Sequence, residues 1–281
     1  MNEQHQSLWE FMSQQSDKLF TQTLQHIGLT FISLFIAVAI GLPLGIWISR
    51  RKQFSGLVLG IAGVLQTIPS IALLGFMIPL LGIGVLPAIT ALFLYALLPI
   101  IRNTFTGITG VDPAVKEAAL AMGMSRGQIL AKVELPLAMP VILAGIRTAT
   151  VINVGVATLA SYIAAGGLGE FIFGGISLNN TNMILAGAIP AAMLAIIFDF
   201  LLSRLQKLDL RKLKTATAAA PVLIVLLACF YFIPSAYGSK LTAGFTPEFM
   251  GRQDGNLGLQ SKYGLNIRTI VISDAVMYKA A

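Results

Sequence analysis

Six apolar segments, each long enough to cross a lipid bilayer as a helix, limit most strongly what this chain can fold into. A bilayer core about 30 Å thick requires roughly 20 apolar residues in helical form. The predicted spans are residues 26–49, 57–80, 85–101, 138–162, 183–203 and 217–237. Only 11% of the residues are charged, against about 25% in soluble domains. The sequence therefore predicts an all-α fold, a polytopic membrane bundle of about six transmembrane helices, with kinks at Pro69, Pro79 and Pro190.

Lysine and arginine residues between the spans predict the orientation of this bundle. They cluster in three loops, at Arg50–Lys52, from Arg102 to Lys132, and from Arg204 to Lys214. The alternate loops, near 81–84 and at 163–182, contain none. Because basic loops stay on the cytoplasmic side, we expect a multi-pass protein of the cell membrane with both termini outside. The net charge of +7 is then a consequence of topology and does not indicate nucleic-acid binding.

Residues 1–25 precede the first span and are expected to lie at the outer surface of the membrane. Leu8, Phe11 and Met12 recur at helical spacing beside Trp9. This pattern is typical of an interfacial helix, and a simple lead-in to the first span is the alternative.

Few residues in the chain suit catalysis, metal binding or nucleotide binding. There is one cysteine, Cys229, and the two histidines, His5 and His26, are isolated. We therefore expect no disulfide within the chain, no metal site and no catalytic group. The Gly-x-x-x-x-Gly-Lys-Ser/Thr pattern that cradles nucleotide phosphates is absent from the sequence.

A polar segment, residues 112–136, separates the third and fourth spans and begins with signals for a short helix. Asp112 is suited to the N-cap and Pro113 to the first helical position. Gly123 can end this helix in a left-handed cap.

The same segment contains signals for a second short helix. Ser125 and Gln128 have the spacing of a capping box. Leu135-Pro136 is expected to end the helix, because the residue before proline is pushed away from helical geometry. An ordinary amphipathic loop lying on the membrane would also explain such a segment.

The stretch "EAALAMGMSRGQILAKVELP" resembles the EAA loop of permease subunits of binding-protein-dependent ABC transporters. The positions that match this pattern are Glu117, Ala118, Ala119, Gly123, Leu135 and Pro136. Val133 stands where isoleucine is usual. The resemblance implies that the segment is a cytoplasmic coupling helix, which docks onto a separate ATPase subunit, and that the bundle has the type I importer fold.

Other stretches resemble permeases that import the osmoprotectants glycine betaine, carnitine and choline. They are "LQTIPSIALLGFMIPLLGIG" (65–84), "LYALLPIIRNTFTGI" (94–108) and "ATLASYIAAGGLGEFIFGGI" (157–176). The methionine and other amino-acid permeases of this fold are resembled less closely. The resemblance implies a homodimer with the pathway at its interface and ATP hydrolysis by the partner, so the chain itself is expected not to be an enzyme and to bind no cofactor.

The C-terminal part suggests further domains after the permease domain at 26–214. An additional transmembrane helix is expected at 215–237, followed by a tail at 238–281. "FTPEFMGRQDG" in this tail resembles part of an extracellular substrate-binding domain, which some relatives carry fused to the permease. At 44 residues, however, the tail is much shorter than such a domain, so a fragment is expected.

Two charged residues fall within predicted spans, where charges are rare and usually functional. Arg147 lies in the fourth span and Asp199 in the fifth, both toward the cytoplasmic end. They are candidates for an ion pair near an inner gate. The alternative is that each side chain reaches the interface independently.

The sequence "GGLGEF" on the predicted outer side is a candidate outer-gate loop. Gly166, Gly167 and Gly169 permit sharp turns, and Glu170 precedes an aromatic residue, Phe171. A carboxylate beside a ring could meet a cationic quaternary ammonium group. A solvated loop carboxylate is the alternative.

Three other functions compete with an ABC permease for osmoprotectants. An ion-coupled secondary transporter would need ionisable residues at the membrane midplane, and only Arg147 and Asp199 are candidates. A permease for methionine or another amino acid would leave the sixth span and the tail unexplained. A non-transporting scaffold would leave the EAA pattern unexplained.

Overall fold

The computed structural model of the chain describes residues 7–207, 242–252, 255 and 268–271, and most of them are helical. In chain order the helices are α1 (Leu8–Gln14), α2 (Ser16–Arg50), α3 (Ser55–Thr67), α4 (Ser70–Leu81), α5 (Val85–Thr109), α6 (Pro113–Ala121), α7 (Arg126–Ile129), α8 (Leu135–Ala157), α9 (Gly169–Ser177) and α10 (Thr181–Lys207). Short 3-10 helices cover Lys52–Phe54 and Thr158–Ile163, and a π-helical segment covers Leu130–Glu134. In the tail, β1 (Thr242–Phe245) and β2 (Arg268–Val271) pair in parallel, with α11 (Pro247–Gly251) between them in the chain.

Four helical segments are long and apolar enough to cross a membrane. They are Ser16–Arg50, Val85–Thr109, Arg126–Ile163 and Thr181–Arg204. The pair Lys52–Thr67 and Ser70–Leu81 forms a fifth candidate if it is counted as one bent span. The prediction of a helical membrane bundle is confirmed, while the predicted sixth span, 217–237, lies outside the described residues.

The second predicted span, 57–80, is a bent pair of helices rather than a straight one. The helices α3 and α4 meet at 98°, so the kink expected at Pro69 is a near-right-angle turn. Proline restricts the preceding residue, and Ile68 accordingly has extended backbone angles (φ −65°, ψ 128°). The Tyr95 hydroxyl, from α5, donates a hydrogen bond to the Ile68 carbonyl. One carbonyl left free by the break is thereby satisfied inside the protein.

The expectation that Leu135-Pro136 ends a helix is wrong. Leu135 has helical backbone angles, and helix continues from Arg126 to Ile163. The π-helical segment explains the difference, because the Leu135 N–H bonds to the Leu130 carbonyl five residues back. Pro136 follows directly at the start of α8, so the helix passes through the proline and does not end before it. The fourth span is therefore continuous with the second short helix of the polar segment.

The helices α2, α5 and α8 pack together at the centre of the bundle, with small residues at their contacts. A Cβ atom added to Gly45 of α2 would lie 2.6 Å from the Thr104 Cβ of α5. One added to Gly145 of α8 would lie 2.7 Å from the Pro99 carbonyl oxygen. Small residues allow close approach of helix backbones in membranes, where packing rather than water exclusion drives association.

The N-terminal helix α1 packs on the protein as well as exposing a face to its surroundings. Leu8, Phe11 and Met12, the residues at helical spacing, pack against a cluster that includes Phe171. The rings of Phe11 and Phe171 meet edge to face at 6.5 Å. Trp9, in contrast, is 78% exposed.

The hydrogen bond at the α3–α4 break should stabilise the bundle measurably. Tyr95→Phe removes the hydroxyl and leaves the Ile68 carbonyl without that donor. We expect the free energy of unfolding to fall by about 1 kcal/mol. Thermal or denaturant unfolding of the purified protein in detergent measures the change.

Tyr162→Phe is the matched control for this substitution. The Tyr162 ring packs on Phe173, and its hydroxyl has no hydrogen-bond partner within the part of the chain that the structure describes. We expect this variant to unfold like the unmodified protein. Equal losses in the two variants would show that the Tyr95 hydroxyl does not stabilise the break.

Candidate functional site

The first half of the polar segment has the predicted capped-helix geometry. The Asp112 Oδ1 accepts a hydrogen bond from the Ala114 N–H at 2.9 Å, and Pro113 occupies the first turn of α6. Gly123 follows the helix with φ +80°, and its N–H bonds to the Leu120 carbonyl at 2.9 Å. The predicted N-cap and left-handed end are confirmed, and Gly123 supplies a conformation that other residues adopt only at a cost.

The second half begins with the predicted capping box. The Ser125 N–H donates to the Gln128 Oε1 at 2.8 Å, and the Gln128 N–H donates to the Ser125 Oγ at 3.4 Å. Two backbone N–H groups at the start of α7, those of Ser125 and Gln128, are thus satisfied by side chains. The turn between α6 and α7 is therefore defined at both ends by local chemistry.

The surface of α6 and its turn is partly apolar, although it lies outside the candidate spans. Val115 is 40% exposed, Leu120 61% and Met122 74%. Glu117 and Ala118 are also exposed, whereas Ala119 is buried and faces the rest of the chain. Exposed apolar patches mark surfaces that interact with another protein or with the membrane.

The residues of the EAA pattern fall into two groups in the structure. Glu117 to Gly123 belong to α6 and the turn that follows it. Val133, Leu135 and Pro136 belong to the π-helical segment and the start of α8. Except for the buried Ala119, the first group lies on the exposed surface, and the second lies at the joint between this surface and a membrane helix.

A buried carboxylate at this joint was missed by the sequence reasoning. Glu134 is 1% exposed, and its carboxylate accepts hydrogen bonds from the Arg50 guanidinium, one of them at 3.2 Å (Nη1 to Oε1). The Lys116 Nζ lies 3.6 Å from the Glu134 Oε1 and donates to the Ile108 carbonyl at 3.2 Å. We call Arg50, Lys116 and Glu134 the Glu134 triad. An acidic residue directly before an apolar span was the signal that could have drawn attention to it.

Arg147 and Asp199 form an ion pair between α8 and α10. The Arg147 Nη2 donates to the Asp199 Oδ2 at 2.6 Å, and its Nε donates to Oδ1. Seven residues away on each helix, the Gln206 side-chain amide donates to the Pro140 carbonyl at 2.7 Å. The pair therefore lies roughly 10 Å along α8 from that contact, at the helical rise of 1.5 Å per residue. Both side chains are about one-third exposed, at 35% and 36%.

The glycine loop at 163–169 is packed against α2 and does not project into solvent. Gly166 and Gly167 have φ of +79° and +89°, and both are buried. The Gly167 N–H donates to the Gln25 Oε1 at 3.2 Å. A Cβ atom on Gly169 would lie 1.8 Å from the Thr158 carbonyl oxygen, so glycine is required there.

Glu170 is already paired with groups of its own chain. The Lys18 Nζ lies 3.7 Å from its Oε2, and the Gln22 amide donates to the same oxygen. The Lys18 ammonium also lies 5.4 Å from the centroid of the Phe171 ring. An internal cation therefore occupies the place between carboxylate and ring that the sequence suggested for a quaternary ammonium group. Burial raises the pKa of Glu170, and Lys18 and the hydrogen bond from Gln22 oppose this effect.

Polar contacts between α2 and α8 are further features that the sequence reasoning did not identify. The His26 ring is fully buried, with its Nε2 3.0 Å from the Val154 carbonyl oxygen. The Asn153 side-chain amide donates to the Ser33 Oγ at 3.1 Å. His26 and Ser33 lie seven residues apart, on one face of an otherwise apolar helix, which was the available signal. Across the described ranges, no three His, Cys, Asp or Glu side chains come together as metal ligands would.

A helical membrane bundle with a capped, partly apolar helix pair between two spans has the architecture of a transporter's membrane subunit. Over residues 37–233 the chain matches the family described as binding-protein-dependent transport system inner membrane component, and it belongs to that family. It is 46% identical over 196 residues to the carnitine transport permease protein OpuCB of Listeria monocytogenes, a match covering 70% of this chain and 90% of that protein. It is 49% identical over 201 residues to the osmoprotectant import permease protein OsmW of Salmonella typhimurium, covering 70% and 94%.

A solved structure of the MetNI methionine ABC transporter, in an inward-facing conformation, has a similar fold. The TM-score is 0.61 at 26% identity, and the match covers 67% of this chain and 94% of that chain. The importer-type membrane fold implied by the sequence resemblance is confirmed.

The ion pair between α8 and α10 should behave as a coupled unit. Arg147→Asp or Asp199→Arg alone replaces attraction by repulsion, so each should lower the free energy of unfolding. The double reversal should recover most of this loss because it restores opposite charges. Unfolding in detergent, together with transport by the reconstituted protein, measures both effects.

Arg102→Asp combined with Asp199→Arg provides the additivity control. Arg102 is exposed and has no ion partner in the described ranges, so its reversal should add to that of Asp199 without rescue. If the Arg147/Asp199 double reversal were also merely additive, the pair would contribute nothing as a unit.

Proposed function

We propose that this chain is the permease subunit of an ATP-driven importer of quaternary-ammonium osmoprotectants such as glycine betaine, carnitine and choline. The observation that carries the proposal is the exposed, partly apolar helix α6, which bears the first half of the EAA pattern and leads through a capped turn into a membrane helix. Relatives whose names specify carnitine or osmoprotectant import, at 46% and 49% identity, support the substrate class. The methionine transporter is less similar, at 26%, so an amino-acid substrate is less well supported.

In this proposal, a separate ATPase subunit docks on the cytoplasmic face of residues 112–124. Glu117, Ala118 and Gly123 lie on the contact surface, and Leu120 and Met122 supply its apolar area. Val133, Leu135 and Pro136 connect the docked segment to α8. ATP is bound and hydrolysed by that partner, and movement of the docked segment changes which side of the membrane the pathway faces.

The remaining parts of the assembly are also proposed on the basis of family membership. A homodimer encloses the pathway, and a substrate-binding domain, fused or separate, delivers the substrate on the outer side. The permease domain occupies 26–214, and an additional helix at 215–237 leads to the tail at 238–281. The parallel β1–β2 pair with α11 between them is the kind of unit found in α/β domains, which supports a substrate-binding fragment.

We assign structural roles to the other two groups of predicted site residues. The Arg147–Asp199 pair holds α8 against α10 on the inner half of the bundle. Gly166 and Gly167 let the outer loop pack closely on α2, and Gly169 lets it pack on the 3-10 helix Thr158–Ile163. Glu170 anchors the loop to α2 through Lys18. Direct binding of substrate by Glu170 is not part of the proposal, because its carboxylate is paired internally.

Docking of the ATPase should depend on Gly123. Gly123→Asp places a side chain and a charge at the left-handed turn, and we expect ATPase binding to weaken about tenfold or more. The new carboxylate would be buried without a partner at the docked surface, which typically costs about 1 kcal/mol or more, and about 1.4 kcal/mol corresponds to a factor of ten. Co-purification of the ATPase with the membrane protein measures the effect.

Gly123→Asn is the matched control, since asparagine has nearly the shape of aspartate, tolerates left-handed geometry and carries no charge. It should retain more of the ATPase than Gly123→Asp. Equal binding by all three proteins would show that the ATPase docks elsewhere. Absence of binding to the unmodified chain would contradict the ABC proposal itself and favour secondary transport.

Transport by the complete assembly should be selective for quaternary-ammonium compounds. In proteoliposomes containing the chain, its ATPase and the substrate-binding domain, ATP should drive accumulation of labelled glycine betaine, carnitine or choline. Labelled methionine is the control and should not accumulate. Accumulation of methionine alone would replace the proposed substrate class with amino acids.

A further inference from the structure

The Glu134 triad joins four separate parts of the chain at one buried point. Arg50 is the last residue of α2, and Lys116 lies in the middle of α6. Glu134 lies in the π-helical segment that leads into α8, and Ile108, whose carbonyl accepts from Lys116, lies in the last turn of α5. The proposed docking helix is thus connected by charged contacts to three membrane helices.

Glu134 is the last residue of the π-helical segment, directly before α8. Its side chain is buried, while that of Lys132, two residues earlier in the same segment, is exposed. The carboxylate therefore faces the protein at the point where the polar segment meets the membrane helix.

Burial makes the triad sensitive to movement of any of its members. A carboxylate removed from water is stable only while its cations and hydrogen bonds remain in place. If α6 moved alone, the Lys116 Nζ would leave both the Glu134 Oε1 at 3.6 Å and the Ile108 carbonyl at 3.2 Å. Moving α2, α5 and α8 together with α6 keeps those contacts, so the joint favours concerted motion.

We propose that Glu134 is a positioning residue for energy coupling, which links displacement of the ATPase-docking helix to the membrane helices through Lys116 and Arg50. This inference rests on the proposed function, because it assumes that an ATPase moves α6. It assigns a separate role, however: the exposed face of α6 binds the ATPase, and the buried triad transmits the movement.

The test measures substrate imported per ATP hydrolysed in proteoliposomes containing the whole chain, its ATPase and the substrate-binding domain, with labelled glycine betaine as the probe. In Lys116→Met, we expect the ATPase to remain bound and to hydrolyse ATP while the ratio of import to hydrolysis falls about tenfold. Lys116→Arg keeps the cation and should restore most of that ratio. Glu134→Gln should lower the ratio in the same way.

Arg51→Gln is the control for loss of a basic residue at this end of α2. Arg51 adjoins Arg50 but is exposed and has no ion partner among the described residues. The Arg51→Gln variant should therefore import as much substrate per ATP hydrolysed as the unmodified chain. A general loss of folded protein would lower import and hydrolysis together and leave the ratio unchanged. The ratio therefore separates transmission from stability.

The outcomes distinguish failure of this inference from failure of the proposed function. An unchanged ratio in Lys116→Met would overturn the coupling role while leaving the permease function intact, even if Glu134→Gln did not fold. Loss of ATPase binding in Lys116→Met would also overturn it, because Lys116 would then belong to the docking surface. If the unmodified chain bound no ATPase, the proposed function would fall and this inference with it.

Discussion

The lack of hydrogen-bond partners in the hydrocarbon core governs the irregular parts of this structure. Where backbone is freed from helical hydrogen bonding within a membrane protein, another group must satisfy it. At the α3–α4 break the Tyr95 hydroxyl bonds to the Ile68 carbonyl. Before Pro136 the chain uses a π-helical segment, and after Ala157 a 3-10 helix. At each of these places at least one backbone group is thus satisfied by a bond other than the regular α-helical one.

Charged side chains away from water also need partners, and the charges discussed above lie beside opposite charges of the same chain. Glu134 has two cations, and Arg147 has Asp199 on the neighbouring helix. These contacts connect elements that are distant in sequence. In the proposed transporter, the polar segment between α5 and α8 is therefore a part of the bundle's framework and not a loop appended to it.

The contacts between α2, the glycine loop and α9 also pair charged and polar groups within the chain. Lys18 lies between the Glu170 carboxylate and the Phe171 ring, so a cation-binding arrangement is completed within the chain. The buried glycine loop fits against α2 because it lacks side chains where the helix approaches. This region therefore ties α2 to α9, and it offers no free carboxylate to a cationic substrate.

Features encoded over a few neighbouring residues were predictable from the sequence. The caps at Asp112 and Ser125, the turn at Gly123 and the apolar spans all depend on local residue types and spacing. The EAA pattern likewise indicated a permease of the family to which the chain belongs. The expectation of a helix end at Pro136 failed because a local rule cannot anticipate a π-helical segment.

By itself, then, the sequence determined a helical membrane protein with a capped helix pair between two spans. Apolar length and capping chemistry act within a few turns of one helix, so they need no knowledge of the fold. Only the tertiary structure decided that Glu134 meets Arg50 and Lys116, and that Lys18 reaches Glu170. Those contacts depend on how separate helices pack, and packing in lipid is set by shape and partnered charge across the whole bundle.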